Sequence, residues 1–167
     1  CWTSGTSGAT SGYVAAVDKT TGNVTVVPTL ANAIANVWQP RLIALTTKIL
    51  LFWISSTDAG ATRTDLNVMA LDPADVATSL LASPTVVLAS PNVGACYDVV
   101  KSNADTPGLD VAILAVRSAT TTSYSVISVT SALALNTVTH ARTCDGPIAL
   151  ALSPEGTNIQ IVRGNST

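Results

Sequence analysis

The sequence predicts an all-β protein built from a repeated group of about four strands. Valine and threonine, which favour strands, recur along the chain, and glycine and proline divide them into short segments. An internal repeat with a period of about 55 residues points to one supersecondary unit used several times. A regular hairpin, IALALSPEGTNIQIVR, runs from Ile148 to Arg163. These three observations favour an all-β repeat fold.

The hairpin from Ile148 to Arg163 shows the strand pattern most clearly. Its first half alternates large apolar residues with alanine, which is typical of a strand buried on both faces. Pro154 presets φ for a turn, and Gly156 can take the positive φ that a turn needs. This Ser-Pro-Glu-Gly turn with its flanks resembles the hairpin that joins the two inner strands of a blade in the WD40-like and YVTN-like β-propeller repeat families. The resemblance covers a small part of the chain and implies a propeller-like fold.

Two sets of segments carry the internal repeat. GYVAAVD, LNVMALD and YSVISVT begin at Gly12, Leu66 and Tyr124, and PRLIALTT, ACYDVVKS and PIALALSP begin at Pro40, Ala95 and Pro147. Both sets recur at about 55 residues, close to the length of a four-stranded propeller blade. We therefore predict a propeller-like array of about three blades' worth: two outer strands, two complete blades and two inner strands. A β-sandwich is the alternative, because short alternating strands fit it equally well.

The other elements follow from strand-forming runs and the turn residues between them. Residues 1–12, CWTSGTSGATSG, are a Ser/Thr/Gly-rich tract and are predicted to be a linker or loop, while residues 13–167 are predicted to be a single all-β repeat domain. The alanines of residues 31–38 would allow a helical turn, but an irregular connection is the favoured prediction. Turns are predicted at residues 19–22, 72–73 and 103–108. Before the final hairpin, we predict strands at residues 13–17, 23–27, 41–46, 48–55, 66–71, 85–89, 96–101, 109–117, 124–130 and 136–142.

Composition limits the classes of partner. Only 11% of the residues are charged and the formal net charge is −2, which argues against nucleic acid and against an anionic membrane surface as partners. The longest apolar stretch, Leu42 to Ile54, is interrupted by polar residues and is shorter than the roughly 20 residues of a membrane helix, so no membrane span is predicted. Because the chain begins at Cys1 and not at Met, we expect a mature or excised fragment. We expect the remainder of a parent chain, or copies of this chain, to pair with its open sheet edges.

Cysteines and glycosylation sequences predict an extracellular or cell-surface location. Cys96 and Cys144 stand at matching points of successive repeats, and inner strands crowd together near a propeller axis, so we predict a disulfide between them. Two buried free thiols are the alternative, and Cys1 is left to pair outside the chain. Asn23 and Asn165 each begin an Asn-X-Thr sequence in or beside a predicted turn, so we predict N-glycosylation at both.

Few residues offer reactive chemistry. His140 is the single histidine, and no nucleophile motif accompanies it, so we predict no catalytic residue, no metal site and no cofactor. Four scattered aspartates are interpreted as turn-capping residues, with a cation site at a propeller mouth as the alternative: Asp72, Asp98, Asp110 and Asp145.

Aromatic side chains are the remaining candidates for ligand contact. Trp38 is the predicted ligand-facing aromatic residue, and Trp53, inside the run LLFWI, is predicted to lie in the core. Tyr13, Tyr97 and Tyr124 are further candidates for stacking on a sugar.

The function predicted from these features is that of a non-enzymatic extracellular structural or binding module. It would scaffold protein or glycan contacts, and one variant makes it a subunit of a surface filament or matrix. One alternative is a propeller-type lyase or hydrolase, which would need several carboxylates or histidines to converge. The other alternative is a carbohydrate-binding domain, which an exposed Trp38 would favour.

Overall fold

A computed structural model describes residues 2–4, 11–26, 34–58, 62–89, 93–102, 110–118, 124–140, 148–153 and 158–163. Nearly all of the regular structure in these residues is β-strand, which confirms the predicted all-β class. In chain order the strands are β1 Trp2–Ser4, β2 Ser11–Tyr13, β3 Ala16–Val17, β4 Val24–Val26, β5 Ile34–Ala35, β6 Val37–Ala44, β7 Ile49–Ser56, β8 Arg63–Leu71, β9 Thr85–Leu88, β10 Val93–Lys101, β11 Val111–Ser118, β12 Tyr124–Thr130, β13 Leu135–His140, β14 Ile148–Leu152 and β15 Ile159–Arg163. One helical turn, α1 Val76–Ser79, lies between β8 and β9.

The first sheet is an antiparallel meander of four strands in the order β6-β7-β8-β9. A tight turn joins β6 to β7, in which the Leu45 N–H donates to the Lys48 carbonyl at 2.8 Å. β7 begins with six consecutive apolar residues, ILLFWI, which is typical of a central strand that is buried on both faces. Trp53 is 2% exposed, so the prediction that it lies in the core is confirmed.

The second sheet repeats the same order with β10-β11-β12-β13. Its strand β12 has the predicted bounds, and a tight turn leads from it to β13, with the Leu133 N–H donating to the Thr130 carbonyl at 3.0 Å. Leu133 takes a φ of 63° in this turn. After β13 the hairpin β14–β15 follows as a separate two-stranded sheet. The two successive four-stranded groups and the final two-stranded group agree with the strand groups predicted from the repeat.

The core lies between stacked sheets. One cluster joins the facing sides of the first and second sheets, with Phe52 and Leu114 among its fully buried members. Alternate residues of β7 point to the opposite side, where Leu51 and Trp53 pack with Val14 and with α1. A third, smaller cluster places Ala115 of the second sheet against β14. The described part of the chain is therefore a series of layers, in which the first and second sheets are each covered on both faces.

Two short strands lie in the described part of the N-terminal tract. The sequence predicts a linker or loop at residues 1–12, whereas Trp2–Ser4 forms β1 and pairs antiparallel with β2. β2 also pairs with β5, which lies in the segment predicted to be irregular. Gly12 permits this packing, because a Cβ atom there would lie 2.6 Å from Cγ2 of Val37. Small residues allow β2 to lie close to the first sheet. The same small residues led to the prediction of a linker, because that prediction used composition alone.

The connection between β8 and β9 contains the helical turn α1, which the sequence analysis did not predict. Asp75 caps it by accepting a hydrogen bond from the Thr78 N–H at 3.1 Å. Val76 and Leu80 then pack into the cluster around Trp53. A four-residue helix has too few turns to leave a periodic pattern in the sequence.

Candidate functional site

Polar side chains of the second sheet contact the backbone of the sheets on either side of it. We call these contacts the sheet junctions. In them, Tyr97 contacts Gln39, Asp98 contacts Leu150, and Asp110 contacts Thr46. β10 lies next to β6, β8 and β14, which explains why most of these contacts start from it. The sheet junctions are the polar arrangement that holds the layers in register.

Asp98 forms the junction with the last hairpin. Its Oδ2 accepts a hydrogen bond from the Leu150 N–H of β14 at 2.9 Å, and its Oδ1 accepts one from the Val99 N–H at 2.9 Å. Charged acceptors form stronger hydrogen bonds than neutral ones. One carboxylate therefore fixes the position of β14 against β10.

Tyr97 forms the junction with the first sheet. The residue is 5% exposed. Its hydroxyl donates to the Gln39 carbonyl and lies 3.3 Å from the Phe52 carbonyl oxygen. Gln39 sits in a bulge of β6, between Trp38 and Arg41, with a φ of 50°. Burial raises the pKa of Tyr97 well above its ordinary value, so the hydroxyl remains a donor across the physiological range. The prediction that Tyr97 offers a sugar-stacking face is wrong, because the ring is enclosed between two sheets.

Asp110 forms a second junction with the first sheet. Its Oδ2 accepts a hydrogen bond from the Thr46 N–H in the β6–β7 turn at 2.7 Å, and the Lys101 Nζ lies 3.4 Å from its Oδ1. That Oδ1 is buried and accepts no hydrogen bond from the residues that the structure describes. Burial alone would raise the pKa of Asp110, but the hydrogen bond from Thr46 and the nearby Lys101 ammonium outweigh it and hold this pKa below its ordinary value.

The other aspartates are used locally. Asp72 accepts hydrogen bonds from the Lys48 ammonium at 2.8 Å and from the Ala74 N–H at 2.9 Å. Asp145 lies outside the described residues, as does the side chain of His140. Within the described part of the chain, no group of three or more His, Cys, Asp or Glu side chains could hold a metal ion. Asp72 thus supports a turn, Asp98 and Asp110 support sheet junctions, and no three of the described acidic side chains converge on one point.

Trp38 lies at the start of β6 and is half-buried. Its ring packs against the core between the first and second sheets, and the Arg63 guanidinium lies 6.0 Å from the ring centroid, within the range of a cation–π contact. Its Nε1 is buried and has no hydrogen-bond partner among the described residues. The ring is therefore partly covered by its own chain, and its role in ligand contact stays a prediction.

Asn23 is the one predicted modification site whose surroundings the structure describes. It is exposed in the β3–β4 hairpin, where the Asp18 carboxylate accepts hydrogen bonds from the Thr20 and Thr21 N–H groups, both at 2.8 Å. These bonds lower the pKa of Asp18, the Thr21 N–H contributing most, and they stabilise the turn beside Asn23. Asn165, Cys1 and Cys144 lie outside the described residues, as does the side chain of Cys96 on β10. The disulfide and both glycosylation sites stay predictions.

Sequence reasoning did not identify the sheet junctions. The alternation of Tyr97 and Val99 with Asp98 and Val100 indicates two faces of a strand, and it could have marked Tyr97 as buried. It gives no means of pairing Asp98 with Leu150, because that contact depends on how separate sheets stack.

Comparisons with protein-family models, with curated proteins and with solved structures found no match. The structure describes no helix that is both long enough and apolar enough to span a membrane.

Proposed function

We propose that this chain is a non-enzymatic extracellular or cell-surface module that scaffolds contacts with proteins or glycans, including those of a surface filament or matrix. The observation that carries the proposal is the succession of packed antiparallel sheets, with β6, β10 and β14 each beginning one group of strands. Such a layered repeat offers broad surfaces for contact with a partner, which suits a structural role.

The proposed arrangement of the layers is propeller-like, with the first and second sheets as complete blades. The hairpin β14–β15 supplies two inner strands of a further blade, and β3–β4 supplies two outer strands. Since propellers are built from about four to eight blades, the remainder of a parent chain or copies of this chain would complete the array. A β-sandwich arrangement of the same sheets is the alternative.

The non-enzymatic role is supported by how the described carboxylates are used. Asp98 and Asp110 accept backbone hydrogen bonds across sheet junctions, and Asp72 is paired with Lys48. Lyases and hydrolases of the alternative class need acidic groups that are available to a substrate. The carbohydrate-binding alternative depends on Trp38, whose ring is already in contact with the core and lies near Arg63.

The extracellular location is supported by the exposed Asn23 of the first sequon, which lies in a hairpin whose turn Asp18 stabilises. The test is to express the chain behind a secretion signal in eukaryotic cells and to measure its intact mass before and after removal of N-glycans. We expect a glycan on Asn23, lost in the Asn23→Gln variant, and a second glycan on Asn165. A secreted chain whose mass does not change on glycosidase treatment would contradict the proposal.

A further inference from the structure

The two complete sheets end in outer strands that differ in how well they are protected against pairing with another chain. β9 has four residues, follows Pro84, and its register with β8 shifts between Leu66 and Asn67. A short strand, a nearby proline and a bulge are the devices by which proteins prevent edge-to-edge association. The outer edge of the first sheet is therefore protected.

β13 has none of these devices. It is six residues long, and its pairing with β12 runs without a register shift from Tyr124↔His140 to Val129↔Leu135. It contains no proline, and residues 118–141 contain no Asp, Glu, Lys or Arg. Among the described residues, no strand pairs with its outer edge.

The side chains of β13 are also open to solvent. Residues 135–139 are all exposed, with Leu135 at 38% and Val138 at 52%. An edge strand normally buries one face against its own core. Exposed apolar and threonine side chains next to unpaired backbone donors and acceptors form a surface that suits an added strand.

We propose that β13 pairs antiparallel with β13 of a second copy of this chain, joining two second sheets into one continuous sheet. The absence of charged residues from β13 favours a second copy of the chain as the partner. Self-pairing across a two-fold axis sets two copies of one strand side by side, so a strand with several like charges would repel its copy, and β13 contains no Asp, Glu, Lys or Arg. A register centred on Thr137 sets Thr137 opposite its copy, Asn136 opposite Val138, and Leu135 opposite Thr139. This pairing differs from the completion of the array at β3–β4 and β14–β15, and it does not depend on the proposed function.

The first experiment detects the pairing directly. In an antiparallel pair, directly opposite Cβ atoms lie about 4.5–5.5 Å apart, close to the distance that a disulfide needs. Under mild oxidation, the full chain with Thr137→Cys should form a covalent dimer linked through residue 137, identified by peptide mapping. The matched control is Val86→Cys on β9, which should form no dimer above the level of the unmodified chain.

The second experiment tests whether the edge drives association. By light scattering, Val138→Lys should shift the mass from twice the 17.0 kDa of the chain to that of the single chain. Val86→Lys is the matched control, because Val86 is a similarly exposed valine on the protected edge, at 45% exposure, and it should leave the mass unchanged. A monomeric unmodified chain would overturn the proposal. Association that survives Val138→Lys would overturn it too, and would place the contact at β3–β4 or β14–β15, leaving the proposed function intact.

Discussion

At the residue scale, single polar groups on the second sheet fix its position between two neighbours. Tyr97 and Asp98 are adjacent on β10, so their side chains leave the strand on opposite faces. One donates to the first sheet and the other accepts from the last hairpin. Adjacent residues of one strand therefore set the positions of the layers on both sides of it.

Removal of the Asp98 carboxylate should destabilise the fold. Asp98→Ala leaves the Leu150 and Val99 N–H groups without this acceptor, and an unsatisfied buried donor costs about 1–3 kcal/mol. Asp98→Asn retains one acceptor oxygen and should lose less. The free energy of unfolding from urea titration measures both variants. If the alanine variant unfolds at the same urea concentration as the unmodified chain, Asp98 does not hold β14.

The pair of Lys48 and Asp72 should make stability depend on acid pH. The hydrogen bond from the Lys48 ammonium, followed by that from the Ala74 N–H, lowers the pKa of Asp72 below its ordinary value of 3.8. The folded state therefore takes up a proton at lower pH than the unfolded state does. The stabilisation is fully present above this ordinary value and is lost as the pH falls through the folded pKa.

The measurement is the urea midpoint between about pH 6 and about pH 3, for the unmodified chain and for Asp72→Asn. The unmodified chain should lose stability as the pH falls, and the variant should lose less over the same range. Parallel curves for the two proteins would show that the lowered pKa of Asp72 does not contribute to folding.

At the element scale, the sequence predicted the two four-stranded groups well and the N-terminal sheet poorly. β7 and β12 are recognisable because apolar and β-branched residues are continuous or alternate over a whole strand. β1 consists of Trp-Thr-Ser in a tract whose small residues resemble a linker. Its pairing depends on tertiary contacts, which local composition does not encode.

The sheet junctions, too, depend on tertiary contacts that local composition does not encode. The sequence identified Asp98 and Asp110 as residues at strand ends or in loops, and turn capping was the interpretation. In the structure, Asp98 accepts from a backbone N–H of β14, and Asp110 accepts from that of Thr46 in the β6–β7 turn, 64 positions away. Contacts between residues so far apart in the chain depend on how the sheets stack. The sequence pattern predicts the order of the strands but not their stacking.

Gly12 should be required where β2 packs on the first sheet. In Gly12→Ala the new Cβ would lie 2.6 Å from the fully buried Val37, so the strands must move apart, and overpacking of this kind costs about 1–3 kcal/mol. The free energy of unfolding should fall accordingly. The double variant with Val37→Ala should be more stable than the sum of the two single effects predicts, because the smaller side chain makes room. Strict additivity would show that the two positions do not meet.

At the scale of the whole molecule, the layers form an open series. The first and second sheets are covered on both faces. The hairpin β14–β15 is a two-stranded sheet that packs on the second sheet. The low charge of the chain, 11% of its residues, leaves few groups that would repel another chain at an open edge. The proposed role as a structural or binding module rests on this layered arrangement.

The disulfide map of the secreted protein tests this account most directly, because it depends on both the extracellular location and the placement of the inner strands. Cys96 lies on β10, and Cys144 precedes β14, the strand that packs beside it. Mass spectrometry of peptides prepared without reductant should find Cys96 joined to Cys144, with Cys1 in neither peptide. Recovery of both cysteines as free, alkylated thiols from secreted protein would contradict the predicted register and the oxidising environment together.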